Sequence, residues 1–217
     1  MTTRSARTAP RAHRRTLLLG LLATATLPLL QGCFPVVATG VGAGAAMVSD
    51  RRTSGTYVED EAIEWKAGSR ISEHFGSNTH VNVTSYNRNV LLTGEVPNDN
   101  ARAEVERLVA GVPNVKGTIN ELVVGPTSAL TARGNDTLIT SNVKARMVDA
   151  QTVPAHNVKV VTEANVVYLL GLVTRTEADA AAEVARTSQG VRKVVRVFEY
   201  ISDEEARRLD NPTGAKR

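Results

Sequence analysis

The chain repeats itself, and the repeat constrains its fold more than any other feature. Val90-Leu91-Leu92-Thr93-Gly94-Glu95-Val96 is followed by Gly111-Val112-Pro113-Asn114-Val115. Further on, Val167-Tyr168-Leu169-Leu170-Gly171-Leu172-Val173 is followed by Gly190-Val191-Arg192-Lys193-Val194. Ahead of these blocks, Asp60-Glu61-Ala62-Ile63 matches Asp136-Thr137-Leu138-Ile139, and the blocks recur at offsets of 76 to 79. Blocks that keep their order and spacing twice over mark a duplicated unit, so one small fold must serve both halves.

Each copy reads as helix, strand, strand, helix, strand. In the first, Ile63, Ala67, Ile71 and Phe75 recur every four residues and give a helix one apolar face, with Asp60 and Glu61 near its start where the helix dipole favours acids. The alternation of His80 to Tyr86 predicts a strand, Asn87-Arg88-Asn89 a turn, and Asn89 to Val96 the returning strand. Pro97 to Asn100 opens a second helix that Gly111 closes, and Val115 to Val124 is the last strand. The second copy repeats the order with Asp136 to Val148, Asn157 to Thr162, Val166 to Val173, Glu177 to Ser188 and Val191 to Ile201.

This order, with the paired V-x-L-x-G-x-V and G-V-x-x-V blocks and Gly134-Asn135-Asp136-Thr137 at the entrance to the second unit, resembles the BON domain. The resemblance implies an α+β fold of two tandem BON domains, each with its helices on one face of a small three-stranded sheet. The domains are expected at residues 57–125 and 132–201, with a linker at 126–131 and a polar tail at 202–217.

The N-terminus supplies an address. Arg4, Arg7, Arg11, Arg14 and Arg15 precede an apolar run from Leu17 to Leu30 that contains Pro28, with no acidic residue before Gly32. This is the pattern of a secretory signal peptide over residues 1–32, too short and one-sided for a permanent span. Arg14-Arg15-Thr16-Leu17-Leu18 also resembles a twin-arginine export signal, so the export route stays open. Cys33 is the only cysteine, which leaves the folded part without disulfides. Leu30-Gln31-Gly32-Cys33 resembles a lipobox, with Gln31 in place of the more usual small residue. The resemblance implies cleavage before Cys33 and diacylglyceryl attachment to its thiol. Phe34 rather than Asp beside it implies delivery to the outer membrane. Residues 33–56, rich in Gly, Ala and Ser, read as a flexible tether; Gly40, Gly42 and Gly44 lack the strand and helix that a nucleotide-binding loop requires.

A lipobox followed by two BON units resembles the dual-BON lipoproteins of the DolP type. That implies a non-enzymatic protein on the periplasmic side of the outer membrane of a Gram-negative bacterium, which binds anionic phospholipid and supports envelope integrity. Its partners would be the outer membrane through acyl chains on Cys33, anionic phospholipids and envelope proteins. The residues suggest no chemistry of their own: His74, His80 and His156 have no metal-ligand spacing, and P-loop, HExxH and GxSxG motifs are absent. The chain therefore reads as having no catalytic residues, metal ligands or cofactor.

Charge separates the two copies. Without residues 1–32 the chain carries 21 Lys and Arg against 22 Asp and Glu, which gives no reason to expect a nucleic-acid partner. Residues 57–125 hold 6 basic and 10 acidic side chains; residues 132–201 hold 9 and 7, so an anionic bilayer attracts the second. On the second copy's first helix, Leu138, Lys144, Ala145 and Val148 lie off the core face set by Ile139, Val143 and Met147, where the first copy has Ala62, Gly68, Ser69 and Ser72. Leu138, Lys144, Ala145 and Val148, with Arg133 and Arg146, are thus the candidate phospholipid-binding residues. In DolP-type relatives this helix is the lipid-contacting element, often with an aromatic where Leu138 stands. Trp65, the only tryptophan, also falls off its helix's core face and is the candidate contact for a protein partner or a domain interface.

Overall fold

A computed structural model describes residues 50–211. The signal peptide, Cys33 and most of the tether, and residues 212–217, lie outside them. The first domain runs α1 (Ser54–Phe75), β1 (His80–Tyr86), β2 (Asn89–Val96), α2 (Asp99–Ala110), β3 (Gly117–Asn120) and β4 (Val123–Val124). The second runs α3 (Leu130–Ala150), a 3-10 turn (Ala155–Asn157), β5 (Val158–Glu163), β6 (Val166–Val173), α4 (Arg175–Arg186) and β7 (Lys193–Tyr200), followed by α5 (Asp203–Asp210). In each domain a β-hairpin pairs in parallel with the strand after the second helix, and the hairpin's second strand is central.

The helix-facing cores follow the predicted periods. Ile63, Ala67 and Ile71 of α1 pack with Val90, Leu92 and Val96 of β2 and Val105 and Val109 of α2. Ile139, Val143 and Met147 do the same against Val167, Leu169 and Val173, with the alanines of α4 as the small partners. Thr174 and Glu177 form a reciprocal capping box at the start of α4.

Several boundaries differ from the sequence expectation. Helix α1 starts at Ser54, capped by Thr53, so residues 50–56 belong to the folded part and not to the tether. Helix α3 starts at Leu130, inside the expected linker. The first domain's last strand breaks after Asn120, whose side-chain oxygen accepts from Leu122 N (3.2 Å), and Leu122 drops into the core. The 202–217 tail contains α5, whose Ala206 is buried.

Asp60 and Asp136 are more than acids near a helix start. Both are buried, and each carboxylate accepts the backbone N–H groups of a hairpin turn: Asn87 and Arg88 (2.9 and 2.7 Å) for Asp60, Ala164 and Asn165 (both 2.9 Å) for Asp136. These four turn residues have positive φ, between 50° and 68°, the geometry of a two-residue primed turn. Only Asn87 and Asn165 are residues that favour it, so the aspartates hold a strained turn in place by satisfying both donors.

The outer faces of the sheets meet each other. Tyr86 and Leu91 of the first domain pack with Tyr168, Leu170 and Leu172 of the second, flanked by Ile119, Val161, Val195 and Val197. Each sheet is thus covered by its own helices on one side and by the other domain on the second. The near-continuous apolar run Val166–Val173 is the signature of a strand buried on both faces.

The motif glycines make the hairpins possible. A Cβ on Gly94, at φ +110°, would lie 2.0 Å from His80 O, and one on Gly171 2.5 Å from Asn157 O. Gly68, inside α1, has open space where a Cβ would go. Urea denaturation should therefore separate two Gly→Ala variants: Gly94→Ala loses about 2–4 kcal/mol through backbone collision and strain, while Gly68→Ala gains about 0.5–1 kcal/mol from helix propensity.

Candidate functional site

Six of the residues expected to meet lipid lie on α3, and the structure divides them. Leu138 is 70% exposed and Val148 64%, and Lys144 and Ala145 are open to solvent as well. Leu130, which the sequence reading passed over as linker, is 81% exposed. At 100° per residue Leu130, Gly134, Leu138, Ser141, Ala145 and Val148 form one outward stripe, about 27 Å long at 1.5 Å per residue. No charged side chain interrupts it; Lys144 and Asp149 border it on opposite sides. Arg133, half-buried, also borders it on the Lys144 side and donates to Ser128 Oγ at 3.1 Å.

Arg146 does not belong with them. Its guanidinium donates to Val184 O (2.9 Å), Ser188 Oγ (2.6 Å) and Thr187 Oγ1 (3.1 Å), where it satisfies carbonyl and hydroxyl groups at the C-terminal end of α4. Arg70, 76 residues earlier, donates likewise to Leu108 O at 3.2 Å at the end of α2. An arginine at the same repeat position in both copies serves the shared fold. That recurrence is visible in the sequence and is the signal of this structural role.

Trp65 is 74% exposed and sits on α1, the equivalent helix of the first domain. It occupies the position of Ser141, and exposed Val58 that of Gly134. It is therefore not part of the interface between the two domains. The outward faces of α1 and α3 are homologous surfaces with different chemistry: Trp65 amid Ser54, Val58, Ala62, Ser69 and Ser72 on one, the aliphatic stripe on the other.

Two adjacent arginines position the chain where it enters the folded unit. Arg51 is buried and bidentate to Glu177 (2.7 and 2.8 Å), bonds both oxygens of Asp210 (2.8 Å each) and donates to Leu172 O (2.9 Å). It ties the entering chain to the second domain and docks α5. Arg52 turns the other way, to Asp60 (2.8 Å) and Asp50, with its guanidinium 4.1 Å from the Tyr86 ring centroid. Burial pushes the Tyr86 phenol up to about 12.

A third cluster joins side chains that the sequence gave no reason to combine. His80 Nδ1 lies 3.0 Å from Glu95 Oε2 and 3.9 Å from Glu163 Oε1, so the hairpin of one domain meets the end of β5 in the other. Burial pushes the Glu163 carboxyl upward, against the hydrogen bond from Asn82. Elsewhere among the described residues, His74 is exposed, with Nε2 3.7 Å from Glu104 Oε1.

These features, two hairpin-plus-helix units joined through their sheets with glycines at strand contacts, define a tandem-repeat α+β protein. The BON domain profile matches residues 59–126 and 135–202, and the chain belongs to the BON family. It is 38% identical over 185 residues, 84% of this chain and 95% of the relative, to the outer membrane lipoprotein DolP of Haemophilus influenzae. It is also similar to a 21 kDa hemolysin of Actinobacillus pleuropneumoniae (36% identity; 70% of this chain, 79% of the relative) and to osmotically-inducible protein Y of Escherichia coli (29%; 72% and 80%).

The Arg51 hub has a pH signature. The hydrogen bond from Arg51 holds the Asp210 carboxyl below its ordinary 3.8; burial opposes the same effect at Glu177, yet Arg51 still holds that carboxyl below its ordinary 4.5. Depressed carboxyls contribute stability that is present above those ordinary values and lost as pH falls through the lowered ones. Arg51→Met should cost about 2–3 kcal/mol at neutral pH, less than a fully buried pair because both carboxylates keep some solvent. Its stability should also fall less steeply than wild type below pH 4, as read from urea midpoints across pH.

Proposed function

We propose that the chain is an outer-membrane lipoprotein facing the periplasm, held by acyl chains on Cys33, and that it acts without catalysis by binding anionic phospholipid through α3 of its second domain. The observation that carries this reading is the uncharged stripe of Leu130, Leu138, Ala145 and Val148, bordered by Lys144 and Arg133, where the first domain's equivalent helix has Ser54, Ala62, Ser69 and Ser72. Such a strip sinks into the headgroup boundary while its bordering cations meet phosphates, each contributing about 1 kcal/mol. The DolP relative is by its name an outer membrane lipoprotein, which supports the localisation. Among the described residues no helix is long and apolar enough to cross a membrane.

Cosedimentation with phosphatidylglycerol and phosphatidylcholine vesicles, using soluble protein that begins after Cys33, tests the assignment. Preference for the anionic vesicles is expected, with Leu138→Glu weakening binding roughly tenfold or more, as loss of a buried leucine implies. Lys144→Gln should weaken it less, and Arg146→Gln should act on stability instead. Binding indifferent to headgroup charge and to Leu138→Glu would remove α3 from the mechanism.

A second reading is a periplasmic adaptor that docks envelope-assembly or cell-wall proteins through Trp65. It is favoured by the exposure of Trp65 and Val58 on one face of α1, within the more acidic domain. Crosslinking in whole cells that loses defined partners on Trp65→Ala, while vesicle binding persists, is the outcome that reading expects.

A further inference from the structure

The two domains meet through a pseudo-twofold contact, and its two poles differ. Residues 80 and 157, 95 and 172, and 86 and 163 are each 77 apart and occupy equivalent positions on the two hairpins. At one pole Tyr86 reaches across: its hydroxyl donates to Asn157 O and accepts from Leu172 N, both at 3.4 Å. At the other pole the equivalent residue is Glu163, which reaches across to His80 and Glu95. One pole is closed by a tyrosine. The other gathers an imidazole and two carboxylates.

The second pole has the parts of a cation site. The nearest ligand atoms of His80, Glu95 and Glu163 all lie within 4.8 Å of one another, and their side chains are only 15%, 12% and 9% exposed. Asn82 Nδ2 donates to Glu163 Oε2 at 2.6 Å, and Ser128 N to Glu95 Oε2 at 3.0 Å. These donors orient the carboxylates, as outer-sphere partners do in metal sites: Glu163 keeps Oε1 toward the imidazole, and Glu95 Oε2 takes Ser128 N while it meets His80 Nδ1. Two carboxylates and an imidazole held together at a largely buried domain junction form a ligand set whose charge one divalent ion can match.

We propose that His80, Glu95 and Glu163 bind a divalent first-row transition ion of the zinc class, with one protein nitrogen and two carboxylate oxygens as ligands and one position left open. The imidazole selects such an ion over Mg²⁺ or Ca²⁺, which prefer all-oxygen shells. Coordination uses the Nδ1 lone pair, so the ring carries its proton on Nε2 in the bound state. Because His80 and Glu95 belong to the first domain and Glu163 to the second, the ion staples the two together.

Calorimetric titration of zinc chloride into chelator-treated full-length protein in detergent tests this. One saturable site per chain is expected, unaffected by millimolar Mg²⁺ or Ca²⁺, with the melting temperature raised by roughly 5 °C at a hundredfold excess over the dissociation constant. His80→Ala and Glu163→Gln should each weaken binding at least about tenfold, as loss of a ligand exceeds the tenfold typical of outer-sphere partners; His74→Ala should not. Glu163→Gln keeps an acceptor for Asn82, so it decides the matter if His80→Ala unfolds. Absence of saturable uptake, zinc affinity unchanged in Glu163→Gln, or equal competition by Ca²⁺ overturns the proposal.

Discussion

The rest of the structure depends on the burial of two sheets against each other. A three-stranded sheet covered by two helices still has one open face, and in this chain that face carries Leu91, Tyr168, Leu170 and Leu172. Left in water, those side chains would expose an apolar patch of the kind that drives association. Duplication resolves this within one chain: each domain is the cover for the other. The consequence is that α1 and α3 both point outward, at the far sides of their own domains from the shared core, and are free to present different surfaces.

The repeat also explains which parts of the molecule were legible in sequence. Wherever both copies keep a residue, it serves the shared fold: Asp60 and Asp136 clamp the hairpin turns, Arg70 and Arg146 meet carbonyls near the helix ends, and Gly94 and Gly171 admit a neighbouring carbonyl. Element order and both helix-facing cores follow from periodicity, which is local information. The exposure of Leu138 and Val148 was legible because both fall off the core face of α3 at positions where the first copy has Ala62 and Ser72. Arg146 lies off the outward stripe, and its recurrence as Arg70 is the signal of its bonds to the end of α4.

What sequence did not disclose depends on contacts between distant residues. Arg51 lies in a Gly- and Ala-rich stretch that has no periodicity, and its partners are 126 and 159 residues away. Nothing local distinguishes it from a solvated arginine. The His80, Glu95 and Glu163 cluster is hidden in the same way, since its members come from three strands in two domains. The run Val166–Val173 did carry a signal that its sheet is buried on both faces, because it lacks the alternation of a half-exposed strand.

The Arg51 hub bears on how anchor and lipid contact would cooperate. If Cys33 is acylated, the leash ends at Arg51 and not at residue 56. Eighteen residues cannot span more than about 65 Å even when fully extended. Arg51 bonds Glu177 at the start of α4, and Glu177 lines the same surface recess as Val148, the last residue of the outward stripe on α3. The leash would therefore leave the folded unit from the second domain, beside the end of the helix proposed to touch lipid, with the first domain and Trp65 on a different helix. Tethering at that point raises the local concentration of headgroups around α3 without demanding strong affinity from it. Under that proposal the acyl chains would hold the protein at the bilayer, and a leucine at position 138 would have only to discriminate among the lipids within reach.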